Sequence, residues 1–424
     1  LKAESAVFGE DDTQDTQRLD SDEKIPSNRY FEGSPVYPGR FAHDWNRSVI
    51  MEPEGTAIGA VVLLHGLTDS PYSVRHVAQL YRELGYAAIA PRLPGHGTVP
   101  AGLAKATWED WMAATRLAVR EARRRVGATA PLHLVGYSNG GALAVKFALD
   151  AVEDPGLSRV DRVVLLSPMI GLTEWARFAG LAGLPSVFPA FAKAAWLSIV
   201  PEFNPFKYNS FPVNAARQSS LLTGALQPRV ASLAREGRLA DLPPILAFQS
   251  VTDFTVSTRA VVDALYAHLP ANGSELVLFD LNRTTKFGPL LRPSLEASLA
   301  GLLPDVPRRF RTAVIANASP GSPEMVERIV DAGALTERVT PLSLAYPSEV
   351  FSLSHIALPF PIDDGLYGMT PDPVEDFGVQ LGAIAARGER GTLIISVDAL
   401  TRMSSNPFFP YVLARIEEGV PTVP

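Results

Sequence analysis

Leu132-His133-Leu134-Val135-Gly136-Tyr137-Ser138-Asn139-Gly140-Gly141-Ala142-Leu143 is the stretch that decides the reading of this chain. Leu132–Tyr137 has the continuous apolar character of a strand buried on both faces. Asn139–Asp150 has the pattern of an apolar helix, stopped by Pro155-Gly156. Ser138 falls between them in a G-x-S-x-G frame. Alone that motif is a weak signal, but between a buried strand and a helix it acquires a mechanical meaning. The backbone must fold back tightly there, and Gly136 and Gly140 supply neighbours without side chains. The serine oxygen then stands above the sheet edge. The Asn139 amide, at the helix start, faces the place where an oxyanion would develop. A Gly-rich turn with a capping serine is the bland alternative.

Outward from this stretch the same rhythm repeats. Ala60–Leu64 is a buried strand ending in His65-Gly66, and a helix is expected over Ser73–Leu84, with Gly85 as its stop. Tyr86–Ala90 is the next strand, and Thr107 caps a helix that buries Trp108, Trp111, Met112, Thr115, Ala118, Val119 and Ala122. Val160–Leu166, Ile245–Gln249 and Leu276–Phe279 are further strands, and Thr258–Leu269 a further helix. Alternating strands and helices imply a mostly parallel, doubly wound α/β sheet with its loops gathered at the strands' C-terminal ends.

The rhythm sets the expected organisation. Residues 1–50 form an N-terminal arm that is polar and acidic over Leu1–Glu23. Residues 51–168 are the first part of the core, 169–240 a mostly helical cap without a clear strand, and 241–424 the second part of the core. Two insertions interrupt that second part, near 282–352 and 365–402. The first holds a strand candidate, Thr312–Ala316, and a helix candidate, Pro323–Ala332.

Composition narrows the classes of function. Of the 424 residues, 46% are hydrophobic and 20% charged, which suits a large packed core. The net charge of −7, with no basic block beyond Arg123-Arg124-Arg125, argues against nucleic-acid binding. The absence of cysteine excludes disulfides, a thiolate nucleophile and Cys-ligated zinc. There is no H-E-x-x-H or comparable ligand cluster, so neither a metal nor another cofactor is expected. Apolar runs are broken before they reach the roughly 20 residues of a membrane span. The first residue is Leu1 rather than Met. That favours a removed leader and a secreted or periplasmic location over a cytoplasmic one.

Other residues complete a chemistry around Ser138. The turn His65-Gly66-Leu67-Thr68-Asp69-Ser70 follows a buried strand and would bring the Leu67 amide beside Ser138 as a second oxyanion donor. The chain order on such a sheet is Ser, acid, His. Of the seven histidines, that order leaves His268 and His355. His268 lies on the expected helix Thr258–Leu269, too soon after an acid-bearing strand end, whereas His355 lies in a loop-like stretch. Asp253, in the turn after Ile245–Gln249, suits the orienting carboxylate, with Asp280 as its rival. Trp175, Phe178, Phe188, Phe191, Trp196 and Phe203 in the cap either line an acyl pocket or form the cap's own small core.

Together, LLHGLTDSP at 63–71, APRLPGHG at 90–97, GYSNGG at 136–141, QSVTDFTV at 249–256 and LSHIALP at 353–359 resemble the α/β-hydrolase superfamily. The likeness is greatest to its monoacylglycerol-lipase and carboxylesterase-like branch. It covers most of 60–167 and 243–280 and resumes at His355. It implies the α/β-hydrolase fold and a triad of Ser138, Asp253 and His355, with Leu67 and Asn139 as oxyanion amides and His96 as a structural loop residue. Phe188, Phe191 and Trp196 would then contact substrate, a small-molecule ester or lipid. The expected reaction is ester hydrolysis through an acyl-enzyme. A lipase, an amidase or aminopeptidase with the same triad, and a small-molecule receptor on the same scaffold are the alternatives. The long segments flanking His355 depart from the usual pattern.

Overall fold

The computed structural model describes residues 19–171, 195–284, 301–384, 392–393 and 395–421. In chain order the strands are β1 (Val49–Met51), β2 (Gly59–Leu64), β3 (Tyr86–Ala90), β4 (Leu132–Tyr137), β5 (Arg162–Leu166), β6 (Trp196–Ser198), β7 (Phe211–Pro212), β8 (Ile245–Ser250), β9 (Glu275–Phe279), β10 (Arg311–Asn317), β11 (Met325–Val330) and β12 (Arg338–Leu342). The α-helices are α1 (Arg75–Glu83), α2 (Trp108–Val126), α3 (Asn139–Glu153), α4 (Val213–Arg235), α5 (Thr258–Ala264), α6 (Val397–Thr401) and α7 (Phe409–Glu417).

Ten strands form one sheet in the order β1-β3-β2-β4-β5-β8-β9-β10-β11-β12. From β3 to β10 neighbours are parallel, while β1, β11 and β12 are antiparallel additions at the two ends. Apolar runs without alternation form its central strands because both faces are covered. In β2, Ala60, Val62 and Leu64 point into a core shared with α2, α3 and α4, while Val61 and Leu63 point into one shared with α1 and α7. The helices start where the chain supplies caps: Thr107 and Asp110 form a reciprocal capping box on α2.

The segment 311–342 departs from expectation. Pro323–Ala332 contains no helix, for Met325–Val330 is strand β11, paired with β10 on one side and β12 on the other. Its β-branched Val326, Ile329 and Val330 favour that state, and Met325 and Ile329 reach the core. The segment thus enlarges the sheet beyond β9. The described part of the expected cap segment, 195–240, also holds a short ribbon of β6 and β7 besides the long helix α4. The expected helix Thr258–Leu269 is α5 followed by a 3-10 turn, Tyr266–His268.

Residues beyond His355 are fastened to the start of α1 by a buried charge cluster. Asp364 accepts from the Tyr72 hydroxyl (2.9 Å), Arg75 Nη1 (2.5 Å), His76 Nε2 (2.9 Å) and the amides of Leu366 and Tyr367. The Arg75 guanidinium lies over the Tyr72 ring at 4.0 Å and its other nitrogen pairs with Glu375. Burial alone would push the Asp364 carboxyl up, but Arg75 and His76 outweigh it and hold it well below the usual carboxylate range. Because the folded-state pKa is depressed, this contribution is complete above the unfolded carboxylate value and is lost as pH falls toward the folded one. Asp364→Ala should cost about 3 kcal/mol, since it leaves the buried Arg75 with only the part-exposed Glu375 as counter-charge and strips His76 and Tyr72 of their acceptor. Chemical denaturation at pH 7 and at pH 3 would show the difference, which should shrink at the lower pH.

Candidate active site

β4 passes into α3 through Ser138 alone, at φ 54° and ψ −116°. A non-glycine residue in this region is strained, and here close packing on either side enforces it. A Cβ on Gly136 would stand 2.4 Å from the Gly140 carbonyl oxygen, and one on Gly140 2.1 Å from that of Leu64. No side chain fits at either position. Ser138 is therefore presented at the helix N-terminus with Asn139 as the first helical residue.

Ser138 Oγ lies 2.9 Å from His355 Nε2, and His355 Nδ1 lies 2.8 Å from Asp253 Oδ2. All three residues are nearly buried: the Asp253 side chain is 0% exposed and that of His355 6%. Asp253 can only accept, so Nδ1 carries the proton and Nε2 is free to accept the serine hydroxyl. Asp253 is itself fixed on both oxygens. Oδ1 accepts from the amides of Thr255 (2.8 Å) and Val256 (3.0 Å), and Oδ2 also accepts from Gln249 Nε2 (3.1 Å). Burial raises its pKa, but His355 and these donors more than offset this and leave it below its ordinary value.

Tyr137 braces the histidine. Its ring stacks on the imidazole with centroids 5.5 Å apart, and its hydroxyl donates to the His355 carbonyl at 3.3 Å. Neither Tyr137 nor Gln249 carries a recognisable signal of such a role in the sequence. A glutamine ending the apolar run Ile245–Phe248 is the one hint, since a buried polar group needs a partner.

The turn after β2 lies against Ser138, for a Cβ on Gly66 would be 3.3 Å from Ser138 Cβ. Leu67 follows, half-buried, and Thr68 has φ 61°. His65 holds the turn as a neutral ring: Nδ1–H donates to the Gly66 carbonyl (2.9 Å), and Nε2 accepts from the Leu93 amide (3.1 Å). Burial and the neighbouring His96 push its pKa well below the ordinary value. Burial likewise pushes His96 down to about 4, and its Nδ1–H donates to the Pro94 carbonyl.

The other expected residues lie elsewhere. His268 is half-exposed in the turn after α5. Asp280 directly follows β9 and pairs with Arg283 at 3.0 Å. Trp196 is in β6, half-buried beside Pro212. Phe203 packs on the cluster of Tyr72, Phe206, Phe360 and Tyr367 and so belongs to a small core. Trp175, Phe178, Phe188 and Phe191 lie outside the described residues. Among the described residues no helix is long and apolar enough to cross a membrane.

Residues 59–229 match the family model described as the alpha/beta hydrolase fold. With the sheet order and the strand–serine–helix reversal, this makes the chain an α/β-hydrolase-fold protein. It is 30% identical over 127 residues to the thermostable monoacylglycerol lipase of Bacillus sp. (strain H-257), across 29% of this chain and 50% of that protein. It is 42% identical over 52 residues to a carboxylesterase of Bacillus subtilis (strain 168), across 12% of this chain and 21% of that one. The chain therefore spans at most half the length of either relative. Among solved structures, one of the metagenome-derived lipolytic enzymes LipS and LipT aligns at 24% identity with a TM-score of 0.42, over 61% of this chain and 97% of that one.

Proposed function

We propose that the protein hydrolyses carboxylic esters of small to medium acyl groups through an acyl-enzyme. The observation that carries this reading is the unbroken relay Ser138 Oγ–His355 Nε2 and His355 Nδ1–Asp253 Oδ2, at 2.9 and 2.8 Å. Ser138 Oγ attacks the ester carbonyl carbon as its proton passes to His355 Nε2. The carbonyl oxygen becomes an anion that the Leu67 and Asn139 amides would hold. Asp253 keeps the imidazole in the reacting tautomer and stabilises its charged form. The C–O bond to the alcohol breaks, and the imidazolium returns the proton to the departing alkoxide. Water then loses a proton to His355, its oxygen attacks the acyl carbon, and Ser138 leaves with that proton.

A fluorophosphonate probe should label wild-type protein at Ser138, and Ser138→Ala should neither label nor turn over p-nitrophenyl acetate. Robust esterase activity in Ser138→Ala would sink the mechanism. Labelling with negligible turnover on esters, anilides and triglycerides would favour a receptor on this scaffold. A second reading, hydrolysis of monoacylglycerols, draws on the relative named a monoacylglycerol lipase. It predicts a preference for long acyl chains in the same panel. Phe188, Phe191 and Trp196 are proposed to set acyl length. Shrinking them should then move chain-length preference more than turnover of the acetate, whereas uniform loss with a lower Tm would mark them as packing residues.

A further inference from the structure

The turn after β2 is held from outside by a loop of the cap. Asn204 organises that loop: its side-chain oxygen accepts from the amides of Phe206 (3.0 Å) and Lys207 (3.1 Å), and its side-chain nitrogen donates to the Tyr367 hydroxyl. Two consecutive residues of the loop then reach three consecutive residues of the turn. Lys207 Nζ donates to the Leu67 carbonyl at 3.4 Å, and the Tyr208 amide donates to the Thr68 carbonyl at 2.7 Å. Lys207 Nζ also stands 4.0 Å from Asp69 Oδ2, with the two side chains 18% and 5% exposed. Tyr208 is tied down in turn, its hydroxyl accepting from the Thr98 amide and donating to the Gly95 carbonyl.

Such bracing has a physical purpose. Thr68 is held at φ 61°, a conformation that a β-branched residue does not keep unaided. Asp69 is buried, and burial raises its carboxyl, while the Lys207 ammonium is the first of the groups that oppose this. Without Lys207 the turn would keep a buried acid lacking its counter-charge beside a strained peptide. The Leu67 amide is then free to drift, and an oxyanion donor works only if it is already in place when the charge forms.

We propose that Lys207 is a positioning residue for the oxyanion turn, through which this cap loop governs the turnover of Ser138. The inference rests on the hydrolytic reading above. It predicts an effect on the transition state and little on ground-state binding. Lys207→Met should lower kcat on p-nitrophenyl acetate by about ten- to a hundredfold, somewhat less than the loss of an oxyanion donor itself. KM should change less than about twofold, and an arylboronic acid, which mimics the tetrahedral adduct, should bind weaker by the same factor as kcat. Lys207→Arg should restore most of both. Tm read on the same samples separates this from unfolding. If Lys207→Met keeps wild-type kcat and boronate affinity while wild type labels at Ser138, this inference fails and the hydrolytic reading stands. If wild type neither labels nor turns over esters, both fail. A drop in kcat matched by an equal rise in KM for every acyl length, with boronate affinity unchanged, would also overturn it, because Lys207 would then act on substrate entry.

Discussion

Alanine at His355 is expected to lower kcat on p-nitrophenyl acetate by about four to six orders of magnitude, with the fold intact. The proposed mechanism asks His355 for four proton transfers, two in each half of the reaction, and no other base in the described structure touches Ser138 Oγ. The residual rate would come from the oxyanion amides and binding, which in comparable triads leave about 10³- to 10⁴-fold over water. The fold should survive because the loop is also held by contacts that do not involve the imidazole. Tyr137 bonds to the main-chain carbonyl of residue 355, and Ser354 Oγ bonds to the Arg402 carbonyl at 2.7 Å. His268→Ala is the control and should be silent, since that ring is half-exposed in a surface turn. A steady-state comparison of the two variants at pH 7 decides the matter. Near-normal turnover in His355→Ala would overturn the assignment.

How His355 reaches Ser138 from 217 positions away explains what was legible in the sequence and what was not. Strands β2, β3, β4, β5, β8 and β9 announce themselves as continuous apolar runs, because a strand with both faces covered needs no alternation. The serine turn is legible because its glycines are dictated by contacts of main chain on main chain. The strands beyond β9 are not legible in the same way. Met325, Val326, Ile329 and Val330 fit one face of a short helix as readily as a strand, and only pairing with β10 and β12 resolves the ambiguity. β12 carries Pro341 and is almost wholly exposed, which suits an edge strand and erases its apolar signal.

That extension also makes the long excursion before His355 compatible with a fixed loop. The chain leaves β9, builds three more strands on the same sheet, and returns along a polar seam. Asn282 Nδ2 donates to the Val350 carbonyl at 2.9 Å, and the Tyr346 hydroxyl donates to the Asp280 carbonyl at 2.7 Å. Both ends of the excursion are therefore anchored beside β9, and the entropy of closing it rises only logarithmically with its length. Tyr137, Gln249 and Lys207 belong to a different category. Their significance depends on which distant groups they meet, and no local pattern encodes that.

Asn at position 253 should reduce kcat by about 10⁴-fold, while Asn at position 280 should leave it within a few-fold. The two carboxylates follow neighbouring strands, β8 and β9, so the contrast tests which strand is followed by the acid. At Asp253 the surroundings dictate how the amide would sit. The Thr255 and Val256 amides both donate to Oδ1, so the asparagine oxygen must take that place. Its NH₂ group then falls where Oδ2 was, facing His355 Nδ1. Two donors cannot share that contact, so the ring would surrender the proton on Nδ1 and carry it on Nε2. The nitrogen beside Ser138 would be a donor, unable to take the serine proton. Gln249 can follow by turning its amide, because its Oε1 is buried without a partner. The fold should therefore hold, and Tm should move little while kcat collapses. Asp280 faces Arg283 and is not in contact with the imidazole, so its amide would alter a local ion pair and leave the relay intact. Steady-state kinetics and thermal melts on both variants give the answer. A silent Asp253→Asn beside a crippling Asp280→Asn would move the acid to β9 and overturn the proposed relay.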